Sequence, residues 1–398
     1  MSKSFTINQL AGALALMSFA SIAGAAGLDR SGQPSAEFTK EGTYAYASAY
    51  RISPKTSGKY TDNGVTRKYD GVAQDYNGYG YGVKTDLNDK VSIGVFYDQP
   101  FGAEIEVEGN NNPLVNGNIH TKASVKSDTF TGLVNFKLGQ NDNFRLYGGP
   151  VLSKLEGDLN LASGERTGSL ANLAAINGYT LNLAKDQDYG YMVGAAYVKP
   201  EIGLKLAVTY RSKIEHDIKF GENMPALGAI QTKKAPLKLP ESVNIDFQTG
   251  LNPTTLLTAK ARWVPWGDFK ISPPLLSSSV KRLTGAKEAP LVAYSDDSYM
   301  LELGLGKRLS PALAISGTIG WDKGAGNPVT VLGPAEGYYS IGLGAKYNVT
   351  PEWSVALGGK YLMLGDANTQ LSSTKAPMGK FKNNDAYVVG LKLEYASK

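Results

Sequence analysis

The chain has no cysteine and only two histidines, His120 and His216, in 398 residues. Without a thiol there is no disulfide framework and no thiolate metal site. Two histidines argue against a histidine-built metal centre, so neither metal nor cofactor is expected. Past residue 26 there is no run of about 18 apolar residues, which excludes a bundle of membrane-spanning helices. There is no basic helix or stripe either: 41 Lys and Arg are scattered among 36 Asp and Glu, for a net charge of +5. A nucleic-acid partner is therefore not expected. Disorder is excluded by an apolar content of 42%. What is abundant is glycine, at 46 residues, and tyrosine, at 23. With few helix-favouring runs, this composition points to a β-rich chain.

Residues 1–25 read as a secretory signal peptide. Lys3 is the positive start, Leu10 to Ala20 a short apolar core, and Ala23-Gly24-Ala25 the small-x-small cleavage pattern. Cleavage near Ala25 would export the mature chain.

Beyond it, side chains alternate with period 2, as along a strand with two unlike faces. In Trp353 to Tyr361 one face carries Trp353, Val355, Leu357, Gly359 and Tyr361, and the other Ser354, Ala356, Gly358 and Lys360. Tyr387 to Tyr395, Tyr339 to Tyr347 and Tyr189 to Tyr197 repeat the scheme. Aromatics end each apolar stripe, and the opposite face is small or charged. A soluble sandwich has no reason to end its buried stripe in aromatics. A strand crossing a bilayer does, with aromatic girdles at both interfaces and a polar lumen.

Fourteen such segments are expected: 42–53, 71–86, 90–103, 126–138, 143–158, 186–198, 203–219, 237–250, 255–271, 298–308, 312–322, 337–347, 352–365 and 384–395. Short turn-forming connections alternate with long polar loops at 54–70, 104–125, 159–185, 220–236, 272–297, 323–336 and 366–383. An even strand number with short turns at one end and long loops at the other is the pattern of outer-membrane barrels. A closed barrel also satisfies every backbone group in lipid. The expected organisation is a signal peptide at 1–25, a lumenal hatch at 26–41 and an all-β transmembrane antiparallel barrel at 42–398.

Ala26 to Gly32, Tyr97-Asp-Gln-Pro-Phe-Gly-Ala103, Tyr210-Arg-Ser-Lys213 with His216, Leu239-Pro-Glu-Ser-Val243, and Trp263-Val-Pro-Trp266 with Phe269 follow in this order along the chain. Together they resemble the FadL family of outer-membrane transporters for long-chain fatty acids and other hydrophobic compounds. The resemblance spans the mature chain. It implies passive uptake through an external loop groove, an internal pocket and a lateral opening at a kinked third strand of a plugged barrel. The chain departs from the family in its shorter hatch, which lacks Asn-Pro-Ala, and in ending Ala396-Ser397-Lys398 after the terminal aromatic.

The residues of the third strand point the same way. Pro100 lacks the N–H of a ladder bond and Gly102 permits a bend, so Pro100, Phe101, Gly102 and Ala103 are expected to form a lateral gate. Val107, Leu114, Val115, Leu170, Leu173 and Ile176 are apolar residues of two long loops and are expected to line a groove for an acyl chain. A satellite core that orders the loops is the competing reading. Lys154, taken as inward, and Arg166 are the expected contacts for a carboxylate.

Catalysis is not expected, although His216 between Glu215 and Asp217 allows a hydrogen-bonded pair. The alternative function is a general diffusion porin, with Lys205, Arg211, Lys260, Arg262, Glu302 and Lys346 forming a charged constriction. The expected partners are hydrophobic small molecules, outer-membrane lipid and lipopolysaccharide, and the barrel assembly machinery. The expected state is a monomer in the outer membrane of a Gram-negative bacterium.

Overall fold

The computed structural model describes residues 27–33, 35, 39–109, 112–164 and 174–397. The signal-peptide reading lies outside them. Eighteen strand segments join in one sheet. Four pairs of consecutive segments each continue a single crossing, so 18 − 4 = 14 strands form the wall. They are β1 (Thr43–Lys55), β2 (Gly71–Ala73, then Tyr76–Asp86), β3 (Val91–Asp98, then Gly102–Glu108), β4 (Lys122–Leu138) and β5 (Phe144–Asn160). Next come β6 (Thr180–Lys199), β7 (Leu204–Arg211, then Ile214–Met224), β8 (Ala229–Leu239, then Ser242–Asn252) and β9 (Thr255–Val264). The last are β10 (Ser298–Arg308), β11 (Leu313–Asp322), β12 (Tyr338–Asn348), β13 (Trp353–Leu364) and β14 (Asp385–Ser397). All wall pairings are antiparallel, and β14 closes onto β1 from Thr43↔Ser397 to Lys55↔Asp385. Closure leaves no edge for lipid to meet.

The barrel has two tiers with opposite polarity. In the lower tier the outer face is apolar, as lipid requires: Val95, Leu303, Leu343 and Leu391 are exposed. Trp353 packs against Tyr395 at 5.1 Å, and Tyr361 against Tyr387 at 5.1 Å, with the rings tilted. Those girdles are eight residues apart on β13, roughly 26 Å along a strand and roughly 20 Å once tilted, close to the ~25 Å apolar band of such barrels.

The lower lumen is charged. Buried Glu394 accepts from Lys346 at 2.6 Å and contacts Lys392 and Lys40 at 3.3 Å each. Asp86 pairs with Lys84 and, at 2.7 Å, with Lys137; Glu41 pairs with Arg145 and, at 2.9 Å, with Lys137. Glu302 pairs with Lys360 at 2.6 Å. Glu394→Gln would leave these buried cations short of a counter-charge. It should cost about 3–5 kcal/mol. The check is a clear fall in the temperature at which the barrel loses its folded mobility on a gel.

Above the membrane the polarity inverts. Ala103, Ile105, Val107, Leu155 and Leu159 point inward into a large apolar core, while Glu104, Glu106, Lys154 and Glu156 alternate with them on the outer side. This tier explains where strand boundaries differ from expectation. β4, β6 and β8 begin at 122, 180 and 229, earlier than the expected 126, 186 and 237, because extensions that project into water need no apolar outer face. β9 ends at Val264 rather than 271: Pro265 lacks an N–H, and Trp266–Asp268 forms a 3-10 turn. The long loops are built, too. Gly58–Asp62, Val65–Tyr69, Val329–Thr330, Ala367–Leu371 and Ala376–Phe381 form a separate five-stranded sheet. Pro274–Thr284 is the one α-helix among the described residues.

Candidate functional site

The wall is interrupted in β3. Its lower half pairs with β4 up to Asp98↔Thr129, and its upper half resumes at Gly102↔Lys126. Three residues of β3, Gln99 to Phe101, therefore face two of β4, which is a one-residue bulge. The β4 side stays closed through Ser127, whose N donates to Phe101 O at 3.2 Å and whose Oγ accepts from Phe101 N at 2.9 Å. The β2 side opens. Pairing with β2 stops at Tyr81↔Tyr97, and backbone bonding resumes only where Gln74 N donates to Glu104 O at 3.0 Å, next to Ala73↔Ile105. Between them, Tyr79 N donates to the Gln99 side chain at 3.1 Å.

The N-terminal segment fills the vacated backbone positions. Arg30 N donates to Pro100 O at 2.7 Å, and Gly102 N donates to Leu28 O at 2.9 Å, so Asp29 and Phe101 form a short antiparallel bridge. Pro100 offers a carbonyl there and no N–H, which suits a one-sided partner. Gly102 is needed for the approach: a Cβ there would lie 2.7 Å from Arg30 Cζ and 2.7 Å from Val125 O. Gly27 is needed likewise, with φ +69 and its absent Cβ 2.5 Å from the Trp266 ring. Trp266 meets Phe101 edge-on at 5.6 Å and packs on Phe269 and Tyr294, which makes an aromatic box behind the break.

The segment is anchored across the lumen. Arg262 Nε donates to Asp29 Oδ2 at 2.5 Å, Nη1 to Asn244 Oδ1 at 2.8 Å, and Nη2 to Gln33 Oε1 at 3.0 Å. Ser31 Oγ donates to Asp98 at 2.8 Å, Ser242 Oγ to Gln33 at 2.6 Å, and Asn244 Nδ2 to the carbonyls of Gly32 and Gln33 at 2.9 Å each. Of the residues expected to form a charged constriction, Arg262, Glu302 and Lys346 are buried in ion pairs with the segment or with other wall residues.

Two spaces meet at the break. Inside is an apolar cavity of about 40 Å³, lined by Leu28, Ala103, Val125, Leu159, Leu183 and Tyr294 among others. On the other side is a notch of about 710 Å³ lined by Arg30, Gln74, Tyr79, Gln99 and Lys126. Ile105, Ala123, Ser124 and Asp158 line both. Arg30 lines the notch. It is 6% exposed, and its Nε and Nη2 have no hydrogen-bond partner. Its guanidinium lies 4.0 Å over the Tyr76 ring. Three of the notch's four acids are engaged elsewhere, Asp75 with Arg51 at 2.7 Å, Glu104 with Lys126 at 3.7 Å and Glu106 with Lys122 at 3.0 Å, and Asp158 is the fourth. An almost buried guanidinium with unmade hydrogen bonds is costly unless an anion visits it.

The expected site residues divide as follows. Pro100, Phe101, Gly102 and Ala103 are together at the break. Val107, Leu114, Val115 and Ile176 share one cluster but are buried in it, packed as core rather than lining an open groove. Leu170, Leu173 and Arg166 lie outside the described residues. Lys154 is corrected from inward to outward: buried Ser153 and Leu155 flank it, and its Nζ lies 5.7 Å from the Phe130 ring on the outer wall. The cause is the polarity inversion of the upper tier. Arg30 was not anticipated; nothing local marks it, since only topology brings it to β3.

His216 does form a hydrogen-bonded chain. Its Nδ1 lies 3.0 Å from Asp186 Oδ2 and its Nε2 3.3 Å from Ser153 Oγ. The cavity beside Ser153 is about 10 Å³, barely room for one water. No acyl substrate fits there, and the chain serves to hold β5, β6 and β7 together.

Residues 42–396 match the model of a family described as outer membrane protein transport protein (OMPP1/FadL/TodX). A FadL homologue from Pseudomonas aeruginosa superposes with a TM-score of 0.68 at 14% identity, covering 95% of this chain and 96% of that one. The toluene transporter TodX of Pseudomonas putida gives 0.58 at 11%, covering 90% of each. The monoaromatic hydrocarbon channel CymD gives 0.54 at 12%, covering 90% and 89%. At these identities the likeness is one of fold. No curated protein matches in sequence.

Proposed function

The chain belongs to the OMPP1/FadL/TodX family of outer membrane transport proteins, and from that premise we propose that it passes hydrophobic molecules with an acidic head group, long-chain fatty acids among them, sideways through the wall at β3. Family and fold place it in the outer membrane of a Gram-negative bacterium, in a family of channels rather than enzymes. The observation that carries the proposal is Arg30, whose Nε and Nη2 lack hydrogen-bond partners, in a notch at the broken wall that shares lining residues with an apolar cavity. In this reading, entry is through the apolar cluster of Val107, Leu114, Val115 and Ile176. Exit is past Pro100, Phe101, Gly102 and Ala103.

Physical chemistry favours the sideways route. Below the cavity the lumen is filled with ion pairs. An apolar chain there would displace charge contacts and gain nothing from burial. Beside the cavity the wall has only a few residues of the N-terminal segment to move. The cavity of about 40 Å³ is well short of the ~150 Å³ that holds benzene, so this form is closed. Moving Leu28 would enlarge the cavity and open it toward the notch.

Aromatic hydrocarbons, the class named by the toluene transporter TodX and the monoaromatic hydrocarbon channel CymD, give Arg30 no negative charge to pair with. Laurate and toluene therefore discriminate. A charge-assisted hydrogen bond contributes about 1.5–3 kcal/mol. Arg30→Met should weaken laurate binding on the order of tenfold and leave toluene binding unchanged, as read by displacement of an environment-sensitive fluorescent probe. Equal laurate affinity in the two proteins would remove the carboxylate from the proposal.

A further inference from the structure

The external five-stranded sheet has one face in the protein core and one in water. Tyr60, Tyr69 and Phe381 are buried, while their neighbours Lys59, Lys68 and Lys380 are exposed. The register places these lysines in a row: Lys59 is directly opposite Lys68 on one side and Lys380 on the other. Like charges directly opposed across strands destabilise a sheet. None of the three forms a salt bridge with a described carboxylate. The row borders an open basin of about 1030 Å³ that also takes in Lys375 and Lys382, with Asp70 as its one carboxylate. Of these two, Lys382 has a partner, Asp366, at 3.8 Å.

We propose that the Lys68–Lys59–Lys380 row is a binding site for the phosphorylated head group of an outer-leaflet glycolipid. Three strands at ~4.8 Å spacing make the row roughly 10 Å long. That length suits an anion with several separated charges better than a single carboxylate. Height supports the same occupant. Lys55 Nζ lies 5.3 Å over the ring of Tyr387 in the outer aromatic girdle. Lys59 follows four residues later, at most roughly 14 Å of chain, which is the level of lipid head groups. Bound phosphates would turn the repulsive row into a set of charge-assisted contacts and fasten the loops of β1, β11 and β13 to the leaflet around the barrel.

The test uses native mass spectrometry on the detergent-purified, folded protein. The probes are bisphosphorylated lipid A, lipid A with both phosphates removed, and inorganic pyrophosphate as competitor. The row variant is Lys59→Gln/Lys68→Gln/Lys380→Gln. The control, Lys219→Gln/Lys233→Gln/Lys234→Gln, removes the same charge from another external hairpin. Wild type and control should carry lipid A adducts. The row variant should bind it on the order of tenfold or more weakly, and a Lys→Arg version of the row should bind as wild type does. Dephosphorylated lipid A should not bind, and equimolar pyrophosphate should not displace the lipid. Undiminished binding by the row variant, or equal binding of the dephosphorylated lipid, would overturn the proposal. Displacement by equimolar pyrophosphate would also overturn it, by making the row a site for free phosphate.

Discussion

Deleting Pro100 is expected to reduce uptake of a hydrophobic acid to the level of cells without the channel, while the barrel still assembles. The register dictates the choice. Between Asp98↔Thr129 and Gly102↔Lys126, β3 has one residue more than β4. Removing one residue equalises the two strands and leaves every flanking side chain on its present face, with Asp98 still inward and Phe101, Ala103 and Ile105 still inward. A continuous β3 can then pair with Tyr76 to Gly80 of β2. Each new ladder bond contributes about 1 kcal/mol, and together they hold the wall shut. The N-terminal segment loses the carbonyl that Arg30 N now uses. Uptake would be measured in a strain lacking its own transporter and normalised to folded protein in the outer membrane. Normal uptake by the deletion variant would remove the lateral exit from the account.

Arg262→Ala should convert a quiet barrel into one that conducts ions. Arg262 holds Asp29, Gln33 and Asn244 together, and Asp29 is buried. Without Arg262 a buried carboxylate has no base, at a cost of about 3–5 kcal/mol. The other anchors of residues 27–33 are six hydrogen bonds of about 1 kcal/mol each, so the loss is comparable to most of them together and loosens the segment. In planar bilayers the wild type should show little steady conductance. Arg262→Ala should show lasting open events, and adding Asp29→Asn should restore part of the silence. A variant as quiet as wild type would mean that the segment is not the seal. Large conductance in the wild type would favour the porin alternative.

The membrane tier was legible from sequence because lipid imposes a strict rule. Trp353 to Tyr361 and Tyr387 to Tyr395 can alternate in only one sense, apolar toward lipid, and their crossings lie where expected. The upper tier obeys the opposite rule, and no single residue announces the change. In β3 the odd positions from 93 to 107 read as one apolar stripe apart from Gln99. An unbroken strand would turn Phe101, Ala103, Ile105 and Val107 outward with Ile93 and Val95. The bulge at Gln99 to Phe101 turns them inward instead. Lys154 lies on the outer face for the same reason: at its height the inward side is apolar. Pro100 and Gly102 marked the defect, since both disturb a ladder by their covalent structure. Arg30, Asp29 and Arg262 could not be linked from sequence, because 232 residues separate Arg30 from Arg262 and only closure of the barrel brings them near each other.

The most direct test of the lateral route uses the absence of native thiols. Ala123 lines both the apolar cavity and the notch, so Ala123→Cys places one reactive thiol at their junction. If hydrophobic molecules leave here, a bulky maleimide on that cysteine stops uptake, and saturating laurate slows the labelling. If the fully labelled channel transports at the unlabelled rate and laurate gives no protection, the molecules leave by another path.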